Sequence, residues 1–180
     1  MEKIIFVVGG CRSGKSGHAL TLAEQYGSNR VFLATCIPAD EEMRDRVAAH
    51  RRDRGTGWET IESPYDLAEA VREHSRKADV LLVDCLTLWV SNRMLETESL
   101  GDMTSACEDL IQSLAEAACP VLLVSNEVGS GIVPDNKLAR DFRDQVGWVN
   151  QKIATAADRV IWMVAGIPVT VKAGKEICRR

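Results

Sequence analysis

The chain has 180 residues, 46% of them hydrophobic and 27% charged, with a net charge of −4 and a pI near 5.5. That length fits a single domain spanning residues 1–180, able to bury roughly 70% of its unfolded surface. An acidic balance excludes a general nucleic-acid binder, which carries a basic stripe and a high pI, but leaves room for a small anion held by a local site. Six cysteines at positions 11, 36, 85, 107, 119 and 178 form no C-x-x-C pair. With so many aliphatic residues the chain needs no disulfide framework, and its scattered thiols fit the reducing cytoplasm. No apolar run reaches membrane-spanning length, and the opening MEKIIFVV reads as a buried strand, not as a signal peptide.

In chain order, short β-branched runs at Ile4–Val8, Val31–Ala34, Val80–Val83, Val121–Val124 and Val160–Val164 read as strands. They are continuous and not alternating, as strands covered on both faces are. Helical stripes lie between them: Ala19, Leu22, Ala23 and Tyr26; Met103, Ala106, Leu110, Leu114 and Ala117; and Leu138, Phe142, Val149, Ile153 and Ala156. Strands alternating with helices predict an α/β fold with a mostly parallel sheet, of the P-loop NTPase three-layer type. The segment 166–172 follows the last of these strands too closely for a crossover helix, so it predicts an antiparallel hairpin at the sheet edge. Residues 96–102 form the most polar loop and the best candidate for disorder.

The clearest chemical signal is Gly9-Gly10-Cys11-Arg12-Ser13-Gly14-Lys15-Ser16, a match to G-x-x-x-x-G-K-[ST] between an apolar strand and a helix. Glycines let the backbone curl so that its N–H groups face phosphates, and the helix N-terminus adds its positive end. Lys15 would reach the β- and γ-phosphates of ATP or GTP, and the Ser16 hydroxyl would ligate Mg²⁺. Asp84 closes the run Val80-Leu-Leu-Val-Asp, and an acid delivered at a strand's C-terminal end is placed to support the same cation. Thr35 and Cys36, then Asn126 and Glu127, end the neighbouring strands at that edge, where turn formation and capping would equally explain them.

Three histidines are present. His18 and His74 have no partner at useful spacing and read as surface residues. His50 shares a helical stripe with Met43 and Val47, which turns it inward, and Arg51, Arg52 and Arg54 follow. Cationic neighbours keep an imidazole neutral and nucleophilic, and guanidinium groups can clamp phosphates. Basic residues complementing a helix C-terminus explain the same pattern, and spacing alone favours that plainer account.

Four blocks go further: GGCRSGKS at 9–16, DEEMRDRVAAHRRDR at 40–54, DCLTLWVSN at 84–92 and SNEVGSGIVPDNKLARDFRDQVGWVNQ at 125–151. Through them the chain resembles, from its first strand to about Lys172, the bifunctional adenosylcobinamide kinase/adenosylcobinamide-phosphate guanylyltransferases of adenosylcobalamin biosynthesis. The resemblance implies phosphorylation of adenosylcobinamide by ATP or GTP. It then implies transfer of GMP from GTP to adenosylcobinamide phosphate through a guanylylated histidine at position 50, which reverses the plainer account. It also implies nucleotide contacts from residues 9–16, from Ala34, Thr35 and Cys36, and from Arg51, Arg52, Asp53 and Arg54. Guanine recognition needs a carboxylate, for which Glu62 is the first candidate and Asp84 the second; Asp84 cannot easily serve both metal and base. A homo-oligomer, with a trimer as the expected state, is implied too. The corrinoid pocket stays open, with Trp89, Val90, Met94 and the loop 129–133 as contributors that could equally be core or interface. Two other classes stand beside this one: a monofunctional small-molecule P-loop kinase, with no use for His50, and a nucleotide-dependent switch without group transfer.

Overall fold

The computed structural model describes residues 2–96 and 100–174, apart from the side chains of residues 46, 50, 53 and 100–102. The elements run β1 (Ile4–Gly9), α1 (Lys15–Ala23), β2 (Arg30–Ala34), α2 (Glu41–Arg54), β3 (Trp58–Glu62), α3 (Leu67–His74), β4 (Val80–Asp84), α4 (Leu86–Glu96), α5 (Leu100–Glu116), β5 (Val121–Asn126), α6 (Lys137–Ala156), β6 (Arg159–Val164) and β7 (Ile167–Ala173). The strands form one sheet in the order β3-β2-β4-β5-β1-β6-β7, in which every pairing is parallel except that of β6 with β7.

The continuous apolar runs are continuous because both faces of the sheet are covered. In β1, Ile4 and Phe6 face one side, packed with Leu110 and Leu114 of α5 and Val149 and Ile153 of α6. Ile5 and Val7 face the other, with Ala19 and Ala23 of α1. This is the expected three-layer arrangement.

The C-terminal hairpin is present as expected. Its turn has two residues, Ala165 and Gly166, both at positive φ (50° and 83°), the geometry that matches the twist of paired strands. Pro168 sits on the edge strand β7, where its missing N–H breaks no central ladder.

Four elements depart from the sequence expectations. β3 was not anticipated: Trp-Glu-Thr-Ile-Glu carries two acids and only two strongly apolar residues, and it is a strand because it pairs along β2 at the sheet edge. The short helices α3 and α4 were not anticipated either; Trp89 and Val90 of α4 lie in the core, which removes both from the surface candidates for a corrin ring. The stripe ending at Tyr26 overruns its helix, which stops at Ala23. Of the polar segment 96–102, residue 96 ends α4 and residue 100 opens α5, and only residues 97–99 lie outside the described residues.

Candidate active site

The phosphate loop is built by backbone constraint. Gly9 ends β1 where a Cβ would lie 2.5 Å from the Met163 carbonyl oxygen of β6, so only glycine fits between the strands. Gly14 caps α1 at a φ of 88°, a left-handed conformation that glycine adopts without strain. Between them the loop residue Arg12 also has a positive φ, 54°. Lys15 is buried, and its Nζ donates to the Gly10 carbonyl at 2.6 Å across the loop. Burial pulls its ammonium below the ordinary lysine range, while neighbouring Cys85 and Asp84 pull the other way. The Ser13 hydroxyl is buried in the same loop without a hydrogen-bond partner.

Strand register brings the remaining candidates to one edge. Ala34 of β2 pairs with Glu62 of β3 on one side and Asp84 of β4 on the other. The two carboxylates therefore leave the sheet at stations two strand spacings apart, about 10 Å. Thr35 is fully buried; its hydroxyl donates to the Cys85 carbonyl and accepts from the Cys85 N–H, both at 2.8 Å. Its side chain thus fastens the end of β2 to the turn after Asp84 and is turned away from solvent. Thr87 does the same for β5: its hydroxyl lies 3.1 Å from that of Ser125 and accepts from the Asn126 N–H at 2.7 Å. Asn150 of α6 donates to the Asn126 carbonyl at 3.1 Å, so the backbone of Asn126 is fixed beside Gly9.

These elements surround a cavity of about 820 Å³, ample for a nucleotide. Its lining includes the predicted residues Arg12, Ser13, Gly14, Lys15, Ser16, Ala34, Cys36, Arg51, Arg54, Glu62 and Asp84. Five of the lining residues are lysine or arginine and two are carboxylates, so a chain of net charge −4 presents a locally cationic site. Phe32, Met43, Val47 and Leu88 add an apolar wall. Gly9, Gly10 and Cys11 belong to the loop and not to the cavity wall, and Arg52 is exposed away from it.

Helix α2 roofs the cavity. Asp40 caps it, accepting from the Met43 N–H at 2.7 Å, and Glu41 and Glu42 open it while Arg51, Arg52 and Arg54 close it, matching the helix dipole at both ends. Met43 and Val47 do face inward, as their stripe predicts. The side chains of His50 and Asp53 on this helix lie outside the described residues. Glu62 is exposed and forms an ion pair with Arg51 at 3.1 Å. His18 and His74 are both half-buried, which corrects the surface reading; the His18 Nε2 is enclosed without a partner, because α1 packs closely on the sheet.

Among the described residues no three His, Cys, Asp or Glu side chains cluster as metal ligands. A cation here would take one or two protein oxygens and complete its shell from phosphates and water, which is the habit of Mg²⁺; Ser16 and Asp84, which both line the cavity, fit that donor set. No helix among the described residues is long and apolar enough to cross a membrane.

Comparison with known proteins agrees with this geometry. The fold is similar to that of an ATPase from the type III secretion system of pathogenic bacteria, with a TM-score of 0.55 over 96% of this chain and 57% of that one, at 14% identity. In sequence the chain is 40% identical over 166 residues to the bifunctional adenosylcobalamin biosynthesis protein CobP of Pseudomonas aeruginosa, covering 92% of this chain and 95% of that one. It is likewise 40% identical over 181 residues to the bifunctional adenosylcobalamin biosynthesis protein CobU of Escherichia coli, covering 94% of this chain and 99% of that one. The family model for cobinamide kinase / cobinamide phosphate guanyltransferase matches residues 5–171. The chain belongs to the cobinamide kinase / cobinamide phosphate guanyltransferase family.

Proposed function

We propose that this chain carries both activities named in its family, with adenosylcobinamide and its phosphate as substrates. The supporting observation is the convergence of the phosphate loop, Asp84 and helix α2 on one cationic cavity. A monofunctional kinase would have no use for a histidine at position 50 on the helix that roofs that cavity, so the bifunctional reading is the better one.

In the first reaction the aminopropanol hydroxyl of adenosylcobinamide attacks the γ-phosphorus of ATP or GTP. The bridging P–O bond breaks, its electron pair leaves with the nucleoside diphosphate, and the hydroxyl proton passes to water. The backbone N–H groups of residues 9–16 hold the phosphates, and the buried Lys15 ammonium, already aimed across the loop, balances charge on the leaving oxygens. Ser16 and Asp84 would hold Mg²⁺, which when bound neutralises phosphate charge and orients the departing group. In the second reaction an imidazole nitrogen of His50 attacks the α-phosphorus of GTP. A P–N bond forms, the α–β bridging P–O bond breaks, and pyrophosphate leaves. A phosphate oxygen of adenosylcobinamide phosphate then attacks the same phosphorus, and the P–N bond breaks to return the imidazole. Splitting the exchange into two displacements is the use of a covalent intermediate.

The spacing along the sheet edge supports a division of labour between the two carboxylates. Asp84 is two strands from β1 and its phosphate loop, within electrostatic reach of Lys15. Glu62 is four strands away. That favours Asp84 for the phosphate end and Glu62 for the guanine edge.

A homo-oligomer, expected as a trimer, gains support from the edge strand β7, where Ile167, Val169 and Val171 are all exposed. The free cysteines among the described residues, the cytoplasm as location, and the absence of nucleic-acid or membrane partners form one consistent reading.

The test is incubation with GTP labelled on the α-phosphorus and Mg²⁺, followed by denaturing electrophoresis. Wild type should carry label that resists base and is lost in acid, His50→Ala should carry none, and Glu62→Gln should lose the preference of labelling for GTP over ATP. No label on wild type, with cobinamide phosphorylation intact, would reduce the protein to a kinase.

A further inference from the structure

Helix α2 bears the residue on which the proposed nucleotidyl transfer depends, so what fastens it to the sheet bears on that step. Its described side chains are exposed or half-buried with one exception, and the exception is an arginine: Arg54, only 8% exposed. Arginine is rarely buried without a dedicated partner. Here the guanidinium lies over the Phe32 ring, 3.7 Å from its centroid, and its Nη2 donates to the Thr60 hydroxyl at 3.2 Å. Trp58 meets the same phenyl ring edge-on, at 6.3 Å between centroids and 85° between planes. Arg54, Phe32 and Trp58 thus form a stack that joins the last residue of α2 to β2 and β3.

The chain then turns immediately, with Gly55 at a φ of 66°, into β3. The clamp therefore acts at the C-terminal end of α2, where helix and sheet are already close in sequence. Among the described side chains, Arg51 also reaches β3 through its ion pair with Glu62, and an exposed ion pair of that kind holds little. Residues 47, 48, 51 and 54 all line the cavity, so the turn that contains position 50 is bracketed by cavity-facing residues.

We infer that Arg54 is a positioning residue, whose stack on Phe32 and hydrogen bond to Thr60 fix the last two turns of α2, and with them position 50, over the nucleotide cavity. This rests on the reading of His50 as the carrier of GMP, and it departs from the expectation that Arg54 serves as a phosphate clamp. The face of Arg54 is spent on Phe32 and one arm on Thr60, leaving less of the guanidinium for a ligand. Arginine suits the role because its planar cation can stack and hydrogen-bond at once, which the compact ammonium of lysine cannot.

The experiment measures covalent labelling from α-labelled GTP, cobinamide phosphorylation, and amide hydrogen exchange across residues 41–54. It compares wild type with Arg54→Lys, Thr60→Val and Thr60→Ser. Arg54→Lys should slow labelling about tenfold with the KM for GTP held within about twofold. Thr60→Val should slow it roughly threefold, and Thr60→Ser should restore it, because only the hydroxyl acceptor matters. Both Thr60 variants should phosphorylate cobinamide at the wild-type rate. Exchange in α2 should quicken in Arg54→Lys most, and in Thr60→Val less. An Arg54→Lys effect confined to KM, with Thr60→Val silent, would make Arg54 a ligand contact and overturn the inference. So would unchanged exchange in both variants. Wild type that takes no label while the variants still loosen α2 would instead refute the His50 reading and leave the anchoring in place.

Discussion

The phosphate loop and helix α2 face each other across one cavity, and they are held by opposite means. The loop is fixed by backbone: a glycine with no room for a Cβ, another in a left-handed turn, and a parallel strand on each side of β1. Helix α2 is fixed by side chains, with one buried residue in the whole described helix. The loop must present N–H groups to phosphate in a set geometry, and backbone constraint does that at no cost in side-chain entropy. On the proposed mechanism the helix carries the group that attacks the α-phosphorus in one displacement and is released from it in the next. Few and separable contacts suit that task, and they leave it the easier of the two to disturb.

The contrast can be broken at its strongest point with Lys15→Ala. Removing the buried Lys15 ammonium, proposed to balance charge on the departing phosphates, should lower cobinamide phosphorylation on the order of a thousandfold, with the fold intact by circular dichroism. A loss under tenfold would mean that backbone groups alone neutralise the charge. A smaller effect is expected from Gly9→Ala, where the added methyl must displace the Met163 carbonyl of β6. It should cost about 1–3 kcal/mol in denaturant unfolding and weaken nucleotide binding, because strand and loop shift together. An unaltered midpoint would show that the β1–β6 contact has slack.

The smallest effect concerns pH. Burial, and then the charge of Arg159, depress the His18 pKa from its ordinary 6.5. The unfolded chain therefore binds the proton more readily, so stability should fall as pH drops below about 6.5. His18→Gln should flatten that slope in thermal melts between about pH 7 and 5. An identical slope in the variant would assign the acid sensitivity elsewhere.

How much of this was legible in the sequence varies with the range of the interaction that decides it. Gly9–Ser16 announces the phosphate loop because its motif is contiguous, although the Met163 carbonyl that leaves no room for a Cβ on Gly9 lies on distant β6. The five apolar runs announce β1, β2, β4, β5 and β6 because burial on both faces leaves no polar alternation. Trp58–Glu62 gave no such signal; an edge strand lacks a covering layer on one side and tolerates the acids that disguised β3. Likewise Thr35 reads as a strand-end polar residue in either role, and only the position of Cys85 across the sheet turns its hydroxyl inward.

By itself, then, the sequence determined the α/β class, the phosphate loop, the edge hairpin, and the family. These rest on periodicity, on glycine geometry and on contiguous motifs, all readable along the chain. Tertiary structure alone decided that Ala34, Glu62 and Asp84 stand side by side, that Trp89 and Val90 belong to the core, and that Arg54 is spent on Phe32 and Thr60. Each of those facts is a meeting of residues on different strands or helices. Strand order and register, which no local pattern encodes, decide which side chains meet.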